Sequence, residues 1–232
     1  MKKIIVLLIV FLLTAVAASA DIKVTAIKGI AQVRHGVNEQ WTSVSVGDIL
    51  KPEDSMRSGK KSSITIMIDG KNRLIIPESA IIDISDLRRL TQEEFLLMLT
   101  MERVRSVPPQ NHHDDFIFPH TTTLHGEHRE MTATPLSSNP EMGLMQLSGA
   151  RVLYKHGFYA TCILKTKQVF RLNPSLQKNV DIRFIIANAF EKMKLVRDAL
   201  SEYTNLSQEQ LPPQQRNLID QKIAQLKSKL KG

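Results

Sequence analysis

The chain has 232 residues, a formal net charge of +8 and one cysteine. That length accommodates two small domains, and the lone Cys162 excludes an intramolecular disulfide. The basic balance favours acidic or anionic partners over cationic ones.

Met1, Lys2 and Lys3 precede an apolar run from Ile4 to Ala17, then Ala18-Ser19-Ala20 and Asp21. This three-part layout predicts a secretory signal peptide over residues 1–20, cleaved between Ala20 and Asp21. The run holds about 14 residues, short of the ~20 that a membrane-spanning helix needs. No later apolar run is long enough to span, so no transmembrane segment is expected after cleavage. An exported chain is not expected to meet nucleic acid. Its charge points instead to acidic protein surfaces or anionic envelope polymers.

Residues 21–86 alternate with period two between glycine turns, which predicts six to eight short antiparallel strands. Val24 and Ala26 open the series, and Ile30 with Gln32-Val33-Arg34 follows Gly29. Trp41, Val44 and Val46 lead to the turn Gly47-Asp48 and to Ile49-Leu50. Ser62 to Ile68 is a β-branched strand, closed by Asp69-Gly70 as a hairpin because that pair tolerates positive φ. Arg73 to Ile76 returns, Pro77-Glu78-Ser79 turns, and Ile81-Ile82-Asp83-Ile84 is the last strand. Asp48, Asp54 and Asp69 read as turn residues. Arg57, Lys60, Lys61, Lys71 and Arg73 cluster in sequence around this hairpin, a candidate basic face for an anionic glycan.

The ordered set Gly29-x-x-x-Val33, Trp41, Gly47-Asp48-x-Leu50, Asp54-x-Met56-x-Ser58-Gly59, Ser62-Ser63, Ile64 to Ile68, Asp69-Gly70, Leu74-x-Ile76 and Ile81-x-Asp83-Ile84 resembles the FecR domain over roughly residues 24–86. Ser58 stands where that family more often has threonine. The resemblance implies an extracytoplasmic β module. The family's namesakes carry a cytoplasmic arm that regulates a sigma factor. Here the signal peptide is preceded by nothing that could form that arm, so this role is not expected.

Residues 87–105 are predicted to hold a helix packed on the β domain. Thr91 and Glu94 form a capping box, and Phe95, Met98, Leu99 and Val104 fall near one face. Residues 106–142 are rich in Pro, Thr, Ser, Asn and His and read as an irregular linker. Five of the seven histidines sit there (His112, His113, His120, His125, His128), but their spacing matches no closed metal site. No metal, cofactor or catalytic constellation is expected, and a hydrolase is the least favoured reading.

Residues 143–232 read as helices. Gly157-Phe158-Tyr159-Ala160-Thr161-Cys162-Ile163, continuing to Leu172-Asn173-Pro174, resembles the second half of a tetratricopeptide repeat. Gly143 then opens the unit, with Ala150 and Leu153 in its first helix. After a short insertion, Val180 to Pro213 matches the repeat length of about 34 residues. Ala187, Phe190, Val196, Ala199 and Tyr203 stand at repeat positions, and Lys194 replaces the inter-helix glycine. Small residues let paired helices approach, which makes Cys162 a buried structural residue. A last helix over Pro213 to Leu230, with Ile219, Ile223, Leu226 and Leu230 on one face, caps the array.

The resemblance implies a concave partner-binding face formed by Leu144, Leu147, Arg151 and Tyr154 from one unit and Asp181, Phe184, Asn188 and Glu191 from the other. The expected fold is multidomain α+β: a small antiparallel β-sandwich or roll at 21–86, followed by a tetratricopeptide-type helical array with its cap at 143–232. The expected function is that of an exported, non-enzymatic bacterial envelope protein, periplasmic or secreted, serving as an adaptor, assembly or sensory scaffold. A peptidoglycan- or anionic-glycan-binding module is the alternative.

Overall fold

The computed structural model describes residues 21–38, 40–107 and 139–231. Eight strands form two antiparallel four-stranded sheets. Sheet A runs β4 (Ile49–Leu50), β1 (Ile22–Lys28), β6 (Ser63–Ile68), β7 (Asn72–Ile76), and sheet B runs β3 (Thr42–Ser43), β2 (Ala31–Arg34), β5 (Ser55–Ser58), β8 (Ile81–Asp83). Their inner faces meet in one buried cluster that joins Val24, Ile64 and Ile66 of sheet A to Val33, Met56 and Ile82 of sheet B.

The chain changes sheet at Gly29, whose φ of +75 and lack of a Cβ let Ser62 approach. Ser62 Oγ accepts the Ile30 N–H at 2.9 Å and ties that crossing to the start of β6. The β6–β7 hairpin turns through Asp69 and Gly70, both at positive φ, as that dipeptide predicts. Asp48 and Asp54 close turns by accepting the N–H of Ser45 and of Lys51, each at 2.8 Å.

Three strand features differ from the sequence reading. A bulge between Val24 and Ala26 flips the phase of β1, so Ile27 rather than Ala26 packs on the core. Ser55–Ser58, which carries no apolar alternation, is a central strand of sheet B. The last strand ends at Asp83, and Ile84–Asp86 forms a 3-10 turn.

Six helices follow among the described residues: α1 (Gln92–Arg105), α2 (Pro140–Lys155), α3 (Tyr159–Leu172), α4 (Val180–Lys192), α5 (Val196–Ser207) and α6 (Pro213–Lys229). The Thr91–Glu94 capping box starts α1. The expectation that this helix packs on the β domain is corrected: Phe95 and Leu99 are buried in the helical cluster. Phe95 meets the Phe190 ring edge-on at 6.2 Å. The reason is chemical, since Glu102 of α1 finds Arg171 Nε of α3 at 2.7 Å and Arg103 finds Asp198 of α5 at 2.9 Å.

Helices α2/α3 and α4/α5 form two hairpins with the same turn. In the first, the Gly157 N–H donates to Tyr154 O and the Phe158 N–H to Leu153 O. In the second, the Lys194 N–H donates to Glu191 O and the Leu195 N–H to Phe190 O. Both are Schellman stops with a left-handed residue after the helix, Gly157 at φ +82 and Lys194 at +61. Ala150 and Ala187, Leu153 and Phe190, and Cys162 and Ala199 recur at that same interval, and all six are buried.

The first hairpin is fused to sheet B. Ala150, Val152, Leu153 and Cys162 complete the core cluster of the sheets. Gly149 lies so close to β8 that a Cβ there would meet Ile81 O at 1.9 Å. The overall plan is an α+β chain in two parts that share a core.

Candidate functional site

The outer face of sheet B carries the polar chemistry of the molecule. Gln32, Arg34, Ser55, Arg57 and Asp83 point away from the core because their neighbours Val33, Met56 and Ile82 point into it. Part of this face is covered. Arg34 Nη2 donates to Ser55 Oγ at 3.2 Å, and Ser55 Oγ donates to Asp83 Oδ1 at 2.6 Å. Lys165 of α3, 11% exposed, closes the chain by donating to Asp83. Its Nζ also lies 3.2 Å from Asp86 Oδ2, an ion-pair distance without hydrogen-bond alignment, so that oxygen has no hydrogen-bond partner.

The cluster is electrostatically matched. Burial pushes the Asp86 carboxyl up to about 6, helped by the Asp83 charge and opposed by Lys165. Burial also acts on Asp83, but Lys165, Ser55 and Arg34 outweigh it and hold that carboxyl below the usual range. Burial likewise disfavours the Lys165 ammonium, yet the two aspartates outweigh it and raise its pKa. Below about pH 6, where Asp86 keeps its proton, one cation faces one anion; above it Lys165 faces two carboxylates. These residues act as a clasp between the sheets and the helices.

The uncovered part of the face is a groove. Arg57 lies over the Trp41 ring at 4.5 Å, and Arg34 lies over it at 5.2 Å. Gln32 Oε1 accepts from Arg57 Nη2 at 2.6 Å and from Nε at 3.1 Å, fixing the guanidinium plane. Beside it a cavity of about 440 Å³ opens between sheet B and the start of α2, with Ile30, Arg57 and Lys60 on one wall and Glu141, Leu144 and Met145 on the other. Asn139 sets that second wall by capping α2 through the N–H groups of Glu141 and Met142. Chemically, the groove offers an apolar lining, two cations and one carboxylate. Among the residues that line it there is no histidine, cysteine or serine–base pair to perform covalent chemistry.

This groove brings together two sets of residues that the sequence reading kept apart, Arg57 and Lys60 with Leu144. The rest disperse. Lys60 and Lys61 precede β6 whereas Lys71 follows it, about 16 Å away along the strand. The expected single basic face around the hairpin is therefore split, and Arg73 lies on β7 of sheet A. Of the expected concave face, Leu147 is 1% exposed and belongs to a core with Val169 and Ile182. Phe184 meets the Tyr203 ring edge-on at 5.8 Å. The Tyr203 hydroxyl donates to Asn188 Oδ1 at 2.9 Å, and Glu191 pairs with Lys222 of α6 at 2.9 Å. Tyr154 is half-buried against Tyr159. Leu144, Arg151 and Asp181 remain exposed.

Ala20 and the histidines between 112 and 128 lie outside the described residues. Asp21 is exposed, and its carbonyl accepts the Asp69 N–H at 3.0 Å. Among the described residues no cluster of three His, Cys, Asp or Glu is placed to hold a metal ion, and no helix is long and apolar enough to cross a membrane. Cys162 is fully buried, and burial pushes its thiol up to about 12, which removes it as a nucleophile at neutral pH. The sequence did not single out Lys165, Gly149 or the Trp41–arginine stack. The signals present were a glycine inside a helix and a tryptophan between strands rich in arginine.

No family model matches the chain, and no curated protein or solved structure does.

Proposed function

We propose that the chain is an exported, non-enzymatic envelope protein of a bacterium, an adaptor, assembly or sensory scaffold that docks a protein partner. In this reading a FecR-like β-sandwich is joined to a short tetratricopeptide-like array, and the array with its neighbouring groove is the docking region. The observation that carries it is the repeated hairpin: two Schellman turns at Gly157 and Lys194, with small buried residues at matching places. Arrays of this kind serve as scaffolds because stacked hairpins offer an extended surface.

The test is photo-crosslinking in cells, with a crosslinker at Leu144 or Arg151 and a control at Lys229. A discrete protein adduct at the first two positions and none at the control is the expected result. A chain retained in the cytoplasm, or adducts equal at all three positions, overturns the reading.

The Trp41–Arg57 stack with Lys60 supports the second reading, an anionic glycan in the groove, since an aromatic ring beside fixed cations suits a charged sugar. Cosedimentation with purified peptidoglycan, weakened by salt and by Lys60→Glu, is the expected result for that ligand.

A further inference from the structure

Helix α1 has one face in the core and one that the other described residues leave open. Phe95, Leu99 and Glu102 are buried. Opposite them stand Leu97 (64% exposed), Met101 (47%) and Val104 (68%), at the i, i+4, i+7 spacing of one helical stripe. Leu96 and Met98 flank the stripe and are also exposed. Single exposed apolar side chains are ordinary, but a stripe of three with a further one on each side marks an interaction surface. A cavity of about 560 Å³ runs beside it, with Leu90, Met98, Met101 and Leu164 in its wall together with charged groups that include Asp86, Arg105 and Lys165.

The charges identify the occupant. Glu93 lies in the first turn of α1 and Arg105 in the last, about 18 Å apart along the axis. Neither forms an ion pair among the described residues. An acid at one end of an apolar ridge and a base at the other is self-complementary under a two-fold rotation. An anionic bilayer fits less well. It would meet the acid Glu93 as well as the base Arg105, whereas a second copy meets each with its opposite.

We propose that a second copy of this chain docks on the exposed ridge of α1, with the two α1 helices antiparallel across a two-fold axis. Leu97 then faces the partner's Met101, and Glu93 faces the partner's Arg105. The symmetric register gives two apolar contacts flanked by two ion pairs. The antiparallel arrangement also sets each helix N-terminus near the other's C-terminus, which favours opposite partial charges.

Sedimentation of the protein, expressed from its full-length sequence and purified, tests this over about 1–100 µM. A monomer–dimer equilibrium is expected. Leu97→Glu with Met101→Glu abolishes it, with an unchanged far-ultraviolet circular dichroism spectrum because both side chains are exposed. Glu93→Arg alone and Arg105→Glu alone each weaken self-association by roughly tenfold. Mixing these two single variants restores it as a heterodimer, since each then offers the charge the other lacks. A wild-type monomer throughout the range overturns the proposal. So does a dimer indifferent to Leu97→Glu, or a mixture that associates no better than its components. Binding to phosphatidylglycerol vesicles that is lost with Leu97→Glu, without self-association, assigns the ridge to a membrane and overturns it equally.

Discussion

The two helical hairpins share a turn and differ in what lies against them. The first is pressed onto sheet B, where Gly149 admits the Ile81 carbonyl and Lys165 enters the aspartate cluster. The second leans on α6, through Tyr203, Asn188, Glu191 and Lys222. At the place in the second hairpin that corresponds to Gly149 stands Ile186, large and buried. One supersecondary unit is thus adapted to two neighbours by side-chain size and by one buried charge. The turn hydrogen bonds are untouched.

The largest effect expected to break this contrast is at Lys165. Lys165→Ala leaves Asp83 and Asp86 buried without their cation and destabilises by about 3–5 kcal/mol in urea unfolding. Lys167→Ala on the same helix removes a more exposed pair with Glu202 and shifts stability by under about 1 kcal/mol. Equal effects would show that the clasp contributes nothing special.

Gly149→Ala comes next. The added carbon must displace the Ile81 carbonyl, at about 2–3 kcal/mol. Loss of the β8 amide protection in hydrogen exchange would locate the damage at the seam.

The third effect is pH-dependent. The folded Asp86 holds its proton up to about pH 6, whereas the unfolded chain releases it near the usual carboxylate value. The folded state therefore binds more protons between about pH 4 and 6, and stability falls as pH rises through that window. Asp83 works in the opposite direction, its contribution being lost as pH falls below the ordinary carboxylate range. Asp86→Asn is expected to flatten the decline, gaining about 2 kcal/mol on the wild type between pH 4.5 and 7. A parallel decline in both proteins would rule Asp86 out.

The smallest effect sharpens the likeness of the hairpins. Gly157→Ala places a Cβ at φ +82 and destabilises by about 1 kcal/mol, whereas Lys194→Gly relieves the same strain and stabilises by a few tenths to about 1 kcal/mol. Thermal midpoints that move in the same direction would contradict the shared geometry.

Local chemistry was legible in the sequence. The Thr91–Glu94 box, the Asp69-Gly70 turn and the small residues Ala150, Cys162, Ala187 and Ala199 each depend on near neighbours or on a repeating interval. The seam was not legible. Lys165 meets Asp83 across 82 residues of sequence, and no spacing rule links them. The strand Ser55–Ser58 escaped notice because period two fails where both faces are covered: Met56 faces the core while Ser55 is held by Arg34 and Asp83. Alternation alone places Ala26 inward, because a bulge cannot be counted from it. The basic cluster came apart because neighbours in sequence stand at opposite ends of a strand. The groove followed from Asn139 and α2 docking beside β5, which again is a long-range event.

The core that contains Ile22 also contains Cys162, and this sets a timetable. Synthesis delivers the strands before α2 and α3, so until the helices arrive the β8 edge and Asp83 have no cover. Contacts so distant in sequence form late and slowly. During that interval the early half, its core incomplete, is expected to be an aggregation-prone intermediate. Birth order and folding order diverge, and a chain truncated before Pro140 is expected to persist as that intermediate, sensitive to protease.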